Sequence, residues 1–373
     1  MAKTLHVLQA VPDMNAGGLE NFIMNIYRNI DRCQVQFDFL MHHDYDSFFD
    51  EEIRSLGGTI YRYPVMENKN LAGYMCFVER LLRTHAEIAA VHSHMCSTGF
   101  FTLGAARRAG CVMRVCHSHN TSHDHTVKGC AKWALSRLAP LNANVLLACS
   151  TEAGRYLFGD RSFRLQHNTI DTRRFAFNSA ARERIRSDFG LGDSLVVGHV
   201  GRFTEAKNHT FVIRVFEKVK ELRPDAKLVL VGEGEERIKN SVIALTSELG
   251  LVDDVILAGV RANTEDFYSA FDVFLFPSLF EGLPLTGIEA QCSGLPCLFS
   301  DAITRELDVS EFAQFLSLSM GVNEWAERLI ESSQQAVSRE VGLVQVTKAG
   351  YDARVEASRL CEWYMREAGA SQW

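Results

Sequence analysis

Apolar residues in this chain come in short unbroken runs, separated by longer stretches in which they recur every three or four positions. In the first half the short runs lie at 6–11, 35–40, 59–63, 88–92, 112–116 and 145–149. Continuous apolar runs bounded by turn residues read as strands covered on both faces, and such strands belong to parallel sheets. Stretches 19–29 and 74–84 carry the helical spacing instead. The second half repeats the theme, with runs at 195–200, 227–231, 255–257, 273–276 and 296–299 between helical stretches at 208–222, 235–249 and 264–270. The polar, Arg-rich segment 171–193 reads as a linker followed by an entry helix, and 353–367 is again helical in pattern. The expectation is an α/β protein of two doubly wound domains facing a cleft, 1–175 and 176–350, followed by a terminal helix in 351–373.

Length and composition narrow the function. A chain of 373 residues is too long for one ordinary core and suits two α/β domains. Its net charge of −7 argues against nucleic acid as a partner, since that role needs a basic face. No apolar run approaches a membrane span, and the apolar stretch after Met1 is too short for a signal peptide, so a cytoplasmic location is expected. The ten cysteines include no Cys-x-x-Cys pair, which removes zinc-ribbon and thioredoxin readings and leaves reduced thiols acting as small core residues.

In doubly wound sheets ligands sit beyond the carboxyl ends of strands, so chemistry is sought in the loops that follow them. After the first run come Gly17 and Gly18, where backbone can approach an anion at a helix start; a plain tight turn is the competing reading. After the run at 195–200 come Arg202 and Lys207, a fork and a point charge suited to a diphosphate, or else members of a solvated loop. Gly232 and Gly234 imitate a dinucleotide fingerprint, but the third glycine is missing. The strongest signal is PSLFEGLPLTGIEA, residues 277–290. Here Pro284 reads as a first-turn helix residue, Glu281 precedes the helix and Glu289 lies within it. Carboxylates beside a phosphate must look toward other partners, and sugar or ribose hydroxyls are suitable donors. A cap and a solvated helix residue are the bland alternative.

His117 and His119 close the run at 112–116, with His94, His123 and His125 nearby. One of them could hold a sugar hydroxyl or move a proton. Their spacing fits no closed zinc pattern, and no metal is expected. Asp44 and Asp46 form one Asp-x-Asp, read as a solvated loop. The stretch 127–139 carries Lys128, Lys132, Trp133 and Arg137 and is either a covered helix or a surface for anionic lipid.

Taken together these residues resemble retaining glycosyltransferase family 4, whose fold is GT-B. The pattern Glu281-x7-Glu289 in FPSLFEGLPLTGIEAQCSGLPC carries the resemblance, supported by Gly201-Arg202-Phe203 with Lys207-Asn208, by Gly17-Gly18-x-Glu20, and by 166–175, where Thr169 replaces the family glycine. The segment 116–121 and the tail around 315–326 resemble the branch that builds capsular and exopolysaccharides. The resemblance implies that Arg202 and Lys207 neutralise a diphosphate leaving group. It implies that Glu289 holds the ribose and Glu281 the transferred sugar. Backbone around Val260 would hold the base, Gly282, Leu283, Pro284 and Leu285 would lie on the donor, and Gly17 and Gly18 would close on it. His117, with His119 as competitor, would touch the sugar, and the last helix would cross back to the first domain. The implied donor is a UDP-sugar, used without a metal cofactor. The implied acceptor is a saccharide or polyprenyl-linked saccharide at the inner membrane face. A nucleotide-sugar 2-epimerase and a non-catalytic nucleotide-sugar-binding subunit remain the alternatives.

Overall fold

A computed structural model describes residues 4–15, 17–68, 70–95, 97–122, 126–335 and 338–369. The chain divides into two compact units, Met1–Thr169 with Ala353–Trp373, and Ile170–Asp352.

The first unit is built on seven parallel strands: β1 (Leu5–Val11), β2 (Val35–Met41), β3 (Ile60–Arg62), β4 (Ile88–Ser93), β5 (Met113–Ser118), β6 (Val145–Ala148) and β7 (Arg164–Leu165). Their order is β3-β2-β1-β4-β5-β6-β7. β2 and β4 are buried along their whole length; β4 reads as a mostly apolar run, whereas β2 buries the polar Gln36 and Asp38 among its apolar residues. The helix Gly18–Asn29 turns Phe22, Ile23, Ile26 and Tyr27 inward. The last helix, Ala353–Gly369, places Leu360, Trp363 and Tyr364 in the same core. That shared core makes the chain's tail part of the first unit, and each fully buried apolar side chain contributes roughly 1.5–3 kcal/mol.

The second unit has six parallel strands: β8 (Val196–Val200), β9 (Lys227–Val231), β10 (Val255–Gly259), β11 (Val273–Phe276), β12 (Cys297–Ser300) and β13 (Ala313–Leu316). Their order is β10-β9-β8-β11-β12-β13. The winding direction reverses between β8 and β11, as it does between β1 and β4 in the first unit. At such a point two adjacent strands send their loops to opposite sides and leave a crevice. The loops after β8 and β11 are thus neighbours although far apart in sequence.

Several readings from sequence are corrected. β7 and β13 went unseen because β7 is exposed and β13 only partly buried, so neither leaves an apolar run. The Arg-rich segment after residue 171 does hold a helix, Ser179–Asp188, as read from the sequence, and two of its arginines are tied into the fold. Arg182 and Arg186 grip Asp272 at 2.6 and 3.3 Å, and Arg182 also donates to the carbonyls of Ser269, Ala270 and Phe271. β5 runs to Ser118, so His117 lies within the strand and not in the loop beyond it. Among the described residues no helix is long and apolar enough to cross a membrane, and no described cysteine is in a disulfide.

Candidate active site

At the switch point of the second unit the loop after β8 carries Arg202 and Lys207. Its end is set by Asn208, whose left-handed backbone (φ 56°) turns the chain into the helix His209–Leu222. Two hydrogen bonds clamp this loop to the one after β11: Leu279 N–H donates to the Ala206 carbonyl (2.8 Å) and Asn208 Nδ2 to the Pro277 carbonyl (3.2 Å). The clamp brings Lys207 Nζ within 2.6 Å of Glu281 Oε1, with both side chains largely shielded from solvent. The ammonium also lies 4.4 Å from the Phe276 ring centroid. Gly201 leaves room here: a Cβ would lie 3.2 Å from the Lys207 side chain and 3.3 Å from His199 Nε2, so that Lys207 would have to shift to admit one. Arg202, on the same loop, is exposed.

Gly232 and Gly234 now have a physical account. A Cβ on Gly232 would lie 2.1 Å from the Gly201 carbonyl oxygen, and one on Gly234 would lie 2.4 Å from that of Phe203. The two glycines let the loop after β9 support the loop after β8, where Phe203 N–H donates to the Glu233 carbonyl.

Glu281 precedes the helix Leu285–Cys292, and Pro284 caps that helix instead of entering it. Gly282 and Leu283 are half-buried in the approach to the cap. Glu289 faces the helix Thr264–Ala270, where Tyr268 donates its hydroxyl to Glu289 Oε2 at 2.8 Å. Burial pushes the Glu289 carboxyl up to about 7, against the pull of the Tyr268 hydrogen bond and the Arg174 charge. Arg174 donates to Glu265 (2.9 Å) and to the Ala262 carbonyl (2.6 Å). Val260, just beyond β10, is exposed. Around these loops several buried polar atoms have no hydrogen-bond partner among the described residues: His199 Nε2, both ring nitrogens of His209, Ser278 Oγ and Thr286 Oγ1. Buried polar atoms are almost always satisfied, so such a cluster marks a place for water or a polar ligand. Burial drives His199 and His209 to the neutral form, His209 down to about 4.

In the first unit Gly17 caps the helix Gly18–Asn29 in extended backbone. A Cβ at Gly17 would meet Glu20 Oε2 at 2.3 Å, whereas one at Gly18 would meet nothing within 4 Å. The adjacent glycines therefore do different work: the first accommodates the Glu20 carboxylate and the second leaves open space. Buried histidines join β4 and β5. His92 Nε2 pairs with His117 Nδ1 at 3.0 Å, His94 Nδ1 with His119 Nε2 at 2.9 Å, and His94 Nε2 donates to Gln9 Oε1 at 2.9 Å. His92 Nδ1 meets the Tyr364 hydroxyl at 2.5 Å. Burial holds all four imidazoles neutral, His119 down to about 3. One ring nitrogen from each of His92, His94 and His117 lies within 4.8 Å of the others, close enough to consider a metal. The rings of His92 and His94 stack at 4.3 Å, and both nitrogens of each take part in the bonds above. His94, His117 and His119 line a cavity of about 630 Å³ together with Lys132, Trp133 and Tyr156. His123 and His125 lie outside the described residues.

Gln9, His92, Tyr364, Arg174 and Tyr268 had escaped the sequence reading as partners of the candidate residues. The bond from Tyr268 to Glu289 joins two helices 21 positions apart, a distance with no local signature.

Residues 194–334 match the family model described as glycosyl transferases group 1, and residues 16–174 match that of glycosyltransferase family 4. EpsF of Bacillus subtilis (strain 168), named as a glycosyltransferase, is 37% identical over 374 residues, spanning 97% of this chain and 96% of that protein. The chain belongs to glycosyltransferase family 4. CapH of Staphylococcus aureus, named as a capsular polysaccharide biosynthesis glycosyltransferase, is 23% identical across 98% of this glycosyltransferase and 99% of its own length. Among solved structures, Anabaena HepE in complex with UDP superposes with a TM-score of 0.78 at 17% identity, covering 97% of this chain and 100% of that one. The lipopolysaccharide glycosyltransferase WaaG superposes with a TM-score of 0.66 at 15% identity, over 96% of this chain and 99% of that one. The two parallel-sheet units of this glycosyltransferase are those of the GT-B fold.

Proposed function

We propose that this glycosyltransferase moves a sugar, with retention of anomeric configuration, from a UDP-sugar to a saccharide or polyprenyl-linked saccharide in the making of a surface polysaccharide. One observation carries the donor side of this reading. The clamped loops after β8 and β11 gather Lys207, Glu281, the start of the helix Leu285–Cys292 and a group of buried unpartnered polar atoms in one unit. A diphosphate suits that place, since Lys207, Arg202 and the first free amides of the helix would meet its charge. Support for the uracil base comes from HepE, solved with UDP and with UDP-glucose. Support for the acceptor comes from an Escherichia coli relative, 29% identical over 66% of this chain, named as transferring galactose from UDP-Gal to GlcNAc-diphosphoundecaprenol.

In this reading Glu289 receives ribose hydroxyls, Glu281 receives hydroxyls of the transferred sugar, and Val260 lies by the base. As the bond from the anomeric carbon to the diphosphate oxygen breaks, negative charge grows on the leaving phosphate and the sugar becomes oxocarbenium-like. Fixed cations and helix amides stabilise that charge without reorganising, and no metal takes part. The acceptor hydroxyl attacks from the face the diphosphate leaves, and its proton passes to the leaving phosphate. The helix Val127–Ser136, with exposed Val127 and nearby Lys128 and Lys132, would rest on anionic lipid beside such an acceptor.

Thermal-shift measurement with UDP-, GDP- and ADP-sugars tests the donor. Stabilisation chiefly by a UDP-sugar is expected, and none by any of the three would end the reading. The anomeric proton coupling of the product tests retention, and activity that survives EDTA tests the metal-free chemistry. Flotation with anionic liposomes tests the membrane contact.

A further inference from the structure

We infer that Tyr268 is a positioning residue for donor binding: its buried hydroxyl holds the Glu289 carboxylate in the orientation and charge state that receive ribose hydroxyls. The inference rests on the reading of Glu289 given above.

Tyr268 is fully buried, and its ring is boxed by Phe175, Phe274 and Phe271 at centroid distances of 6.0, 5.8 and 6.3 Å. A phenol held in this way cannot turn to another partner, and a buried hydroxyl must have one. It has Glu289 Oε2, at 2.8 Å. With Oε2 taken, Oε1 is the acceptor left for a ligand, so the phenol decides which edge of the carboxylate is presented. Charged and titratable groups meet Glu289 from each neighbouring element. Arg174 comes from the segment after Ile170, Glu265 from the helix that bears Tyr268, and the Cys292 thiol from Glu289's own helix. Glu265 is engaged by Arg174 at 2.9 Å. Burial favours the neutral acid, which would present a proton to the ribose in place of a lone pair. Tyr268 and Arg174 oppose it, and Glu265 adds to it. The balance sits near neutrality, so a single donor has leverage over the charge.

The test is calorimetric titration of UDP into wild type and Tyr268→Phe between pH 5.5 and 8.5, with GDP and ADP alongside because all three carry the same ribose diol. Wild-type affinity is expected to fall as pH drops through about 7. In Y268F that fall moves upward by about one pH unit, which gives roughly fivefold weaker binding at pH 7, approaching tenfold toward pH 5.5, and recovery toward pH 8.5. An unshifted profile, or a loss equal at every pH, overturns the inference. Two further measurements separate it from the underlying reading. Glu289→Gln should bind weakly and keep only the limb at about pH 6 that the nucleotide's terminal phosphate contributes, and wild-type affinity in that variant would sink the ribose assignment itself. In the wild type the limb near pH 7 should vanish with 2′,3′-dideoxyuridine diphosphate, which offers the carboxylate no hydroxyl, and only the terminal phosphate's own limb at about pH 6 should remain. A limb near pH 7 that persists overturns the inference whether or not Y268F folds.

Discussion

Glu281→Gln is expected to tighten UDP binding while slowing sugar transfer. The pair it disrupts is close, 2.6 Å between Lys207 Nζ and Glu281 Oε1, with side chains 14% and 17% exposed. At that separation and an effective dielectric near 20 the Coulomb attraction is about 6 kcal/mol. Desolvation of the two ions, several kcal/mol each after relaxation, offsets most of it and leaves a net coupling on the order of 1–3 kcal/mol. In the free wild type Glu281 neutralises the ammonium that a diphosphate would use. In the variant Lys207 has lost its carboxylate, and the diphosphate restores a counter-charge. UDP affinity should therefore rise by about 1–2 kcal/mol, roughly five- to thirtyfold. Transfer from the intact donor should fall, because the amide is a weaker acceptor for sugar hydroxyls than the carboxylate. Calorimetry at fixed ionic strength reads the first effect and initial rates read the second. The gain should disappear when Lys207→Ala is added, which a double-mutant cycle detects. Unchanged or weaker UDP binding in Glu281→Gln would refute the claim that the two share Lys207.

Arg202→Ala and Lys207→Ala should each lower kcat/KM by about 2–4 kcal/mol of transition-state stabilisation, and near-normal turnover in both would remove the diphosphate assignment. Gly232→Ala places a methyl against the Gly201 carbonyl oxygen at a φ of +137°. It should destabilise the second unit by about 2–4 kcal/mol, seen in chemical denaturation as an earlier transition. Arg339→Leu removes the donor to the carbonyls of Tyr268 and Ser293. A drop of about 2–4 kcal/mol is expected in the same assay. His42, His92, His94, His117 and His119 all have folded pKa values pushed down by burial. Their contribution to stability is full above the unfolded value near 6.5 and is lost as pH falls below it, because the unfolded chain then binds protons that the folded one refuses. The loss approaches about 1.4 kcal/mol per pH unit for each histidine. Urea midpoints of the first unit should fall steeply from pH 6.5 to 5, and a flat profile would contradict the buried neutral network.

Most strand positions and the α/β class were determined by the sequence alone, because most strands buried on both faces show as largely apolar runs; β2, which buries Gln36 and Asp38, still carries enough apolar residues to be seen. The same logic hid β7 and β13, whose exposure erases the run. Motif residues Arg202, Lys207, Glu281 and Glu289 were legible because phosphate and hydroxyl chemistry restricts which residue types serve. What they touch was decided by tertiary structure. The strand order puts the loops after β8 and β11 side by side, and only then does Lys207 meet Glu281. Likewise Tyr268 finds Glu289, Gln9 reaches His94, and Gly232 makes room for the Gly201 carbonyl. Hydrophobic spacing is a local property of the chain and survives in its one dimension. A contact between loops depends on how the sheet winds, and so it exists only once the sheet is folded.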